Sequence, residues 1–168
     1  MKHYSVLKSE AVDGLNLKDD SIVVDATLGY AGHSSLILSN ISKGHLYAFD
    51  QDENACLYSK DLLSKIGSNY TIIHSNFVNM KEKLNELKID KVDAILFDLG
   101  VSSPQIDDSS RGFSFQQDAK LDMRMDPSSD FSAFDVVNDY SLENLTKIFY
   151  EYGEERLSKS IAKKIIDL

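Results

Sequence analysis

Short apolar runs alternate with spaced apolar positions along the first hundred residues. The runs are rich in β-branched and aromatic residues, a composition typical of buried strands. We predict strands at 22–24, 46–49, 70–73 and 92–97. Between these runs apolar residues recur at helical spacing, as at Ala55, Tyr58, Leu62 and Ile66. Strands that alternate with helices predict right-handed βαβ units, and hence an α/β fold with a parallel sheet.

Two of the predicted helices carry start signals. Asp52 precedes the helix that contains Ala55, and an acidic side chain is favoured at an N-cap. Asn79 stands three residues before Glu82, which is the spacing of a capping box. We therefore expect helices to begin directly after Asp52 and Asn79.

The pattern changes after about residue 100. No period holds from Leu99 to Phe131, a stretch that contains both prolines, and we predict an irregular segment there. Ser132 and Asp135 have the spacing of a helix start. Two further helical patterns follow on either side of Gly153, marked by Leu142, Leu145, Phe149 and Tyr152 and by Leu157, Ile161, Ile165 and Leu168.

These patterns divide the chain into three regions. Residues 1–105 are predicted to be the N-terminal part of a sheet domain, 106–131 a connecting segment, and 132–168 the start of a helical domain. The last helical pattern has no stop signal, and four strands are few for a parallel sheet. We therefore expect the N-terminal part of a longer protein, with an incomplete sheet whose free edge permits self-association.

Composition and charge exclude several classes of protein. Hydrophobic residues make up 42% and charged residues 27%, as in ordinary globular proteins, and the net charge of −9 argues against a chain-wide phosphate-binding surface. No apolar run approaches the roughly 18 residues of a membrane helix. No secretory signal is visible, and the single cysteine, Cys56, cannot form an intrachain disulfide. We expect a cytoplasmic protein without a membrane partner.

Histidine spacing argues against a metal centre. The four histidines are separated by spacings that metal sites do not use, and they are His3, His33, His45 and His74. We therefore predict no metal ligand in the chain.

A glycine-containing turn follows the first predicted strand. It runs from Asp25 through Gly29 and Gly32 to His33, ahead of a helix-compatible stretch, and Asp50 closes the second strand. In nucleotide-binding α/β folds an acid at the end of the second strand accepts hydrogen bonds from the ribose hydroxyls. The spacing Gly29-x-x-Gly32 differs from the dinucleotide pattern, and no P-loop lysine follows. An acid before the turn suits a cationic nucleoside such as S-adenosylmethionine; the alternative is a turn that serves strand–helix packing alone.

Two more strand ends deliver candidate residues to the same edge of the sheet. Phe77 follows the third predicted strand, where an aromatic ring can stack on adenine or pack in the core. Asp98 follows the fourth strand, and an acid at this position is rarely needed for packing. Ligands sit at this edge in doubly wound sheets.

Four strings in the second half carry a specific resemblance. Residues 98–105 read DLGVSSPQ, 111–115 RGFSF, 121–126 LDMRMD and 151–156 EYGEER. In order and spacing they resemble the bacterial ribosomal RNA small subunit methyltransferase H family, over the whole chain. The resemblance implies a class I methyltransferase core with a helical domain inserted after the fourth strand. It also implies methylation of the exocyclic N4 of a cytidine in the decoding region of small-subunit ribosomal RNA, and members much longer than this chain.

The resemblance also implies site residues. The S-adenosylmethionine site would comprise Ala31, Gly32, His33, Asp50, Phe77, Asp98 and Gln105. Asp98 would also accept a proton from the reacting amino group, and the substrate-side candidates are Ser102, Ser103 and Arg111. Many members have Arg-Gly where this chain has Tyr30-Ala31, which makes a positive φ at Ala31 less comfortable. The partner would be small-subunit ribosomal RNA or the small ribosomal subunit.

Two other functions compete with this one. The chain could be a cofactor-binding or interaction module without catalysis, because half of the expected sheet is absent. A nicotinamide-dependent oxidoreductase is disfavoured by the glycine spacing.

Overall fold

The computed structural model describes residues 5–168. They form two compact units, one that extends to Pro104 and one that comprises Gln105–Leu168. The sequence candidate His3 lies outside the described residues. Within residues 5–168, none of the helices combines the length and the apolarity needed to cross a membrane.

The first unit is built on a four-stranded parallel sheet, as the sequence predicts. Its strands are β1 (Ile22–Asp25), β2 (His45–Asp50), β3 (Tyr70–His74) and β4 (Ala94–Leu96). The order across the sheet is β3-β2-β1-β4, so the first strand lies in the middle and both its neighbours run parallel to it. β4 is shorter than the predicted 92–97, because only Ala94–Leu96 pair with β1.

Four helices connect or precede these strands. They are α1 (Lys8–Gly14), α2 (Gly32–Asn40), α3 (Glu53–Leu63) and α4 (Met80–Glu86). A short 3-10 helix, Phe77–Asn79, lies between β3 and α4. The strand–helix alternation is confirmed, whereas α1 has no counterpart among the predicted helices.

The two faces of the sheet are covered unequally. On one face Val23, Leu46 and Ala48 pack with residues of α1, α2 and α3, and Ile37 and Leu63 are fully buried there. The opposite face has a smaller cluster, which comprises Val24, Tyr47, Phe49 and Leu84. Burial of apolar side chains is the main favourable term in folding, so the first face contributes more to the stability of the unit.

Both predicted helix starts are confirmed, but only one of them has a side-chain cap. The Asp52 carboxylate accepts a hydrogen bond from Asn54 N at 3.0 Å, as expected for an N-cap. Asn79 makes no side-chain cap bond at the start of α4. The chain is already helical before it, and Asn76 caps that 3-10 helix by accepting from Val78 N at 2.9 Å.

The second unit is helical. Its elements are α5 (Ser103–Asp107, which begins just before the boundary), the 3-10 helix Ser109–Arg111, α6 (Ala133–Asp139), α7 (Leu142–Glu151) and α8 (Ser158–Ile166). The three later helices match the predicted patterns, and Asp135 closes the capping box at Ser132. The expectation of an irregular stretch from Leu99 to Phe131 is wrong at α5, which is too short for apolar periodicity to reveal.

Candidate functional site

The glycine turn joins β1 to α2 at the carboxyl edge of the sheet. Gly29 has φ +50° and Ala31 has φ +58°, so both residues adopt the left-handed conformation. Ala31 is the N-cap of α2 and is fully buried. This conformation is sterically less favourable for alanine, which has a Cβ, than for glycine. The prediction of an uncomfortable positive φ at Ala31 is therefore confirmed.

Asp50 ties the second strand to this turn. One carboxylate oxygen accepts from Gly29 N at 2.7 Å and the other from Asp52 N at 2.9 Å. From the other side, the Ser59 hydroxyl donates to Gly29 O at 2.8 Å. Burial raises the pKa of the Asp50 carboxyl, while the backbone hydrogen bonds oppose that rise. These hydrogen bonds fix the turn to the Asp50 carboxylate, whose oxygens keep further lone pairs for a ligand.

A second acid, Asp25, lies beneath the turn. It is fully buried, accepts from the Ser34 hydroxyl at 2.7 Å and accepts from Thr27 N at 3.1 Å. Burial raises the pKa of Asp25, and the nearby Asp50 raises it further. The buried Asp25 and the half-buried Asp50 at one edge favour a cation as the ligand, because a positive charge would stabilise their ionised forms.

His33, in the first turn of α2, connects two separate segments. Its Nε2 lies 3.1 Å from Val6 O in the N-terminal segment, and its Nδ1 lies 3.6 Å from Asp98 Oδ2. The His33 side chain is 6% exposed, whereas that of Asp98 is 49% exposed. The imidazole is therefore enclosed and the carboxylate reaches the surface.

The N-terminal segment also lies against Gly32. A Cβ at Gly32 would come within 1.7 Å of Ser5 Oγ and 2.9 Å of Ser5 Cβ. At Gly32 the group that approaches is a residue of the chain itself.

The fourth strand end is linked to the same turn. Asp98 N donates to Thr27 Oγ1 at 2.7 Å, which fixes the backbone that carries the acid. Phe97 packs edge-on against Phe77, with ring centroids 5.5 Å apart. Phe77 is 36% exposed, so its ring remains available to a ligand. These contacts bring together six of the candidate residues at one edge of the sheet, namely Ala31, Gly32, His33, Asp50, Phe77 and Asp98.

The remaining sequence candidates fall into both units. Ser102 and Ser103 belong to the first unit, and Gln105 and Arg111 to the second. Ser103 begins α5, in which Gln105 is buried. The proposed roles of Gln105 and Arg111 stay predictions.

Within the second unit the arginines of the strings RGFSF and LDMRMD hold their own loop. Arg111 Nη2 donates to Arg124 O at 2.9 Å and to Met125 O at 3.0 Å. Arg124 pairs with Asp122, with Nη2 2.6 Å from Oδ2. The strings RGFSF and LDMRMD also meet at Gly112, where a Cβ would lie 2.6 Å from Asp122 N. Their main visible role is therefore to fix this loop.

Several residues of the site were not identified from the sequence, because no motif or spacing marks them. Thr27, Ser34 and Ser59 each make one hydrogen bond to the turn or its acids. Small hydroxyl residues are common everywhere in a sequence, so their partners become apparent only when the fold brings them together. Thr27 lies two residues after Asp25, which is the one spacing that could have drawn attention to it.

A separate groove of about 580 Å³ lies between α3 and β3 and is lined in part by Cys56, Lys60 and Tyr70. Burial raises the pKa of the Cys56 thiol to about 12, which leaves it protonated and unreactive at neutral pH. Cys56 is therefore a buried structural residue, as its sequence context suggests. Among the described residues, no group of three or more His, Cys, Asp and Glu side chains is arranged to hold a metal ion.

The site fits S-adenosylmethionine better than a pyrophosphate cofactor. Residues 21–42 contain no lysine or arginine, whereas Asp25 and Asp50 supply negative charge beside the turn. A sulfonium and an ammonium group are attracted by such an environment, and a pyrophosphate is repelled. The Asp50 carboxylate can also accept hydrogen bonds from two ribose hydroxyls.

Comparison with known proteins agrees with this chemistry. A model of the MraW methylase family matches residues 1–168. Ribosomal RNA small subunit methyltransferase H of Exiguobacterium sibiricum is 52% identical over 164 residues, which cover 98% of this chain and 53% of that protein. The chain thus spans about half the length of this curated relative.

Two solved structures are similar to part of this chain. A crystal structure from Clostridium thermocellum, described as a candidate rRNA methylase, has a TM-score of 0.50 and 24% identity and covers 60% of this chain and 54% of that one. An rRNA methylase from Streptococcus thermophilus has a TM-score of 0.48 and 29% identity, with 60% and 57% of the two chains covered. The four-stranded sheet is the open, Rossmann-like sheet of a class I methyltransferase.

Proposed function

Since the chain belongs to the MraW methylase family, we propose that it forms the cofactor-binding part of an S-adenosylmethionine-dependent methyltransferase for small-subunit ribosomal RNA. The substrate atom we propose is the exocyclic N4 of a cytidine in the decoding region. The observation that carries the proposal is the juxtaposition of the turn, Asp50 and Asp98 at one edge of the sheet.

Each end of this edge has a proposed task. Asp50 holds the ribose, Phe77 lies beside the adenine, and Ala31, Gly32 and His33 meet the methionine end. Gln105 completes the cofactor site. S-adenosylmethionine supplies a methyl group on a positively charged sulfur, so the chain mainly has to position the reactants and exclude water.

The reaction end is proposed to act through Asp98. The amino nitrogen of cytosine is a weak nucleophile because its lone pair is delocalised into the ring. A carboxylate that accepts a hydrogen bond from the amino group localises that lone pair and can take a proton. The target base must leave its stack to reach this acid, and we assign Ser102, Ser103 and Arg111 to the substrate side.

The activity itself is proposed for the longer protein. The chain spans about half of its curated relative, and β4 is an edge strand with one neighbour, β1. We therefore expect the 168-residue chain alone to bind S-adenosylmethionine without turnover, which makes it a cofactor-binding module in isolation.

Calorimetric titration of the chain with S-adenosylmethionine and with NAD tests the proposal. We expect one S-adenosylmethionine per chain and no NAD binding. A chain that binds NAD but not S-adenosylmethionine would overturn the assignment. Methyl transfer to undermethylated small subunits then separates an enzyme from a binding module, and turnover by the 168-residue chain would contradict the expected inactivity.

A further inference from the structure

His33 is the enclosed titratable group that lies beside Asp98. Its Nε2 is 3.1 Å from the carbonyl oxygen of Val6. A carbonyl oxygen only accepts hydrogen bonds, so Nε2 must carry the hydrogen and donate it. In the neutral ring Nδ1 therefore bears the lone pair, and that atom faces Asp98 Oδ2 at 3.6 Å.

This geometry leaves room for one more proton. A lone pair and a carboxylate that face each other repel, whereas a proton between them satisfies both. The separation of 3.6 Å is longer than a hydrogen bond and shortens when the half-exposed Asp98 side chain turns toward the ring. Hydrogen bonds of catalytic groups are often long before the reactants bind.

We propose that His33 takes up, through Asp98, the proton that the amino group loses on methylation, and this inference rests on the proposed function. Methylation forms a bond from the amino nitrogen to the methyl carbon and breaks the carbon–sulfur bond, whose electron pair stays on sulfur. The nitrogen then carries one proton too many. That proton moves to Asp98 and on to His33 Nδ1, which restores the negative charge that faces the substrate, and it leaves later to solvent.

The surroundings of His33 support this direction of transfer. The Asp98 carboxylate lies on the Nδ1 side of the ring. The Val6 carbonyl lies on the Nε2 side, so Nδ1 is the nitrogen that can accept a proton. Thr27 Oγ1 holds the Asp98 backbone, so the acid stays between the ring and the surface.

The N-terminal segment is therefore part of the reaction end. The Val6 carbonyl selects the tautomer of His33, and Ser5 lies close enough to Gly32 to exclude a side chain there. His33 acts on the substrate through Asp98, and so we classify it as a positioning residue.

The tautomer can be read directly in the 168-residue chain. Long-range ¹H–¹⁵N spectra should show His33 as the Nε2–H tautomer when the ring is neutral. The substitution Asp98→Asn should shift the Nδ1 resonance of His33. His74 is the internal control, because its Nε2 makes the same kind of bond to Gln51 O at 3.1 Å but belongs to β3, at the opposite edge of the sheet from β4. An Nδ1–H tautomer, or an unchanged Nδ1 resonance in Asp98→Asn, would overturn the inference.

A matched pair of variants separates proton uptake from the bond to Val6. His33→Gln keeps a donor that can reach Val6 O but removes the base, whereas His33→Asn removes that donor. In a form of the protein that methylates small subunits, we expect His33→Gln to lower kcat by about 10- to 100-fold and to recover activity as pH rises. Equal kcat in His33→Gln and wild type would refute only this inference, whereas an inactive full-length wild type would refute the proposed function.

Discussion

Two carboxylates flank β1 at the same edge of the sheet and are held in opposite ways. Asp50, at the end of β2, receives two backbone hydrogen bonds and is largely buried. Asp98, just beyond β4, has a fixed backbone but a side chain that is 49% exposed. In the proposed site, the end assigned to the nucleoside is therefore held by hydrogen bonds before any ligand binds, and the end assigned to the reaction is free to adjust.

The difference has a structural origin in the two neighbouring strands. β2 lies between β1 and β3, with strands on both sides, whereas β4 pairs with β1 alone. Apolar side chains near β4 remain exposed accordingly, among them Ile95 at 41% and Phe97 at 51%. An acid beside a well-covered strand is preorganised, and an acid beside an edge strand is not.

The largest expected effect separates the two acids by their contribution to cofactor binding. Asp50→Ala should weaken S-adenosylmethionine binding several-fold to a hundredfold, because charge-assisted hydrogen bonds worth about 1.5–3 kcal/mol are lost. Asp98→Ala should change the affinity by less than about threefold, since its proposed task is proton transfer. Calorimetry on both variants measures this. Equal losses of affinity in the two variants would contradict the proposed difference between Asp50 and Asp98.

The second prediction concerns pH. Burial raises the pKa values of Asp25 and Asp50, so these groups stabilise the free fold below the ordinary aspartate pKa and lose that contribution as pH rises through their folded values. A bound cation favours the ionised carboxylates, so binding releases protons. We expect the affinity for S-adenosylmethionine to rise with pH in the acidic range, by up to about tenfold per pH unit for each proton released, and then to level off.

Calorimetry from about pH 4.5 to pH 7.5, at constant ionic strength, measures this dependence. Asp50→Asn is the control, because it removes one titrating group and should flatten the curve. An affinity that does not change over this range in the wild-type chain would show that the buried acids do not sense the ligand's charge.

The smallest effect concerns the exposed neighbourhood of Asp98. We expect the 168-residue chain to self-associate weakly through the edge of β4, and Ile95→Lys should weaken that association by about threefold to tenfold. Asn85→Lys, at an exposed position on α4, is the control because it introduces the same charge. Sedimentation velocity over a concentration series measures the self-association of the chain and of both variants. A chain that stays monomeric throughout, or an equal effect of both lysines, would contradict the role of the edge.

Sequence patterns located the residues whose positions follow from the spacing of apolar residues in the strands and helices. Strand runs and their parallel order made it possible to place Asp50 and Asp98 at one edge, because the carboxyl ends of parallel strands meet there. Asp52 was recognisable as a cap because that function depends only on neighbouring backbone groups.

Contacts between distant parts of the chain were not accessible in the same way. The bond from His33 to Val6 O spans 27 positions, and that from Asp98 N to Thr27 Oγ1 spans 71. Neither bond leaves a periodic trace, since a single polar side chain or a backbone carbonyl is compatible with many environments. α5 was missed for a related reason, because five residues are too few for helical periodicity.

The central claim is that S-adenosylmethionine binds at the turn and Asp50 with its reactive end toward Asp98, and a crystal structure of the chain grown with that cofactor tests it most directly. We predict electron density at the carboxyl edge, with the ribose hydroxyls on Asp50 and the sulfonium on the side of His33 and Asp98. A cofactor found only in the groove between α3 and β3, with the edge empty, would contradict the account.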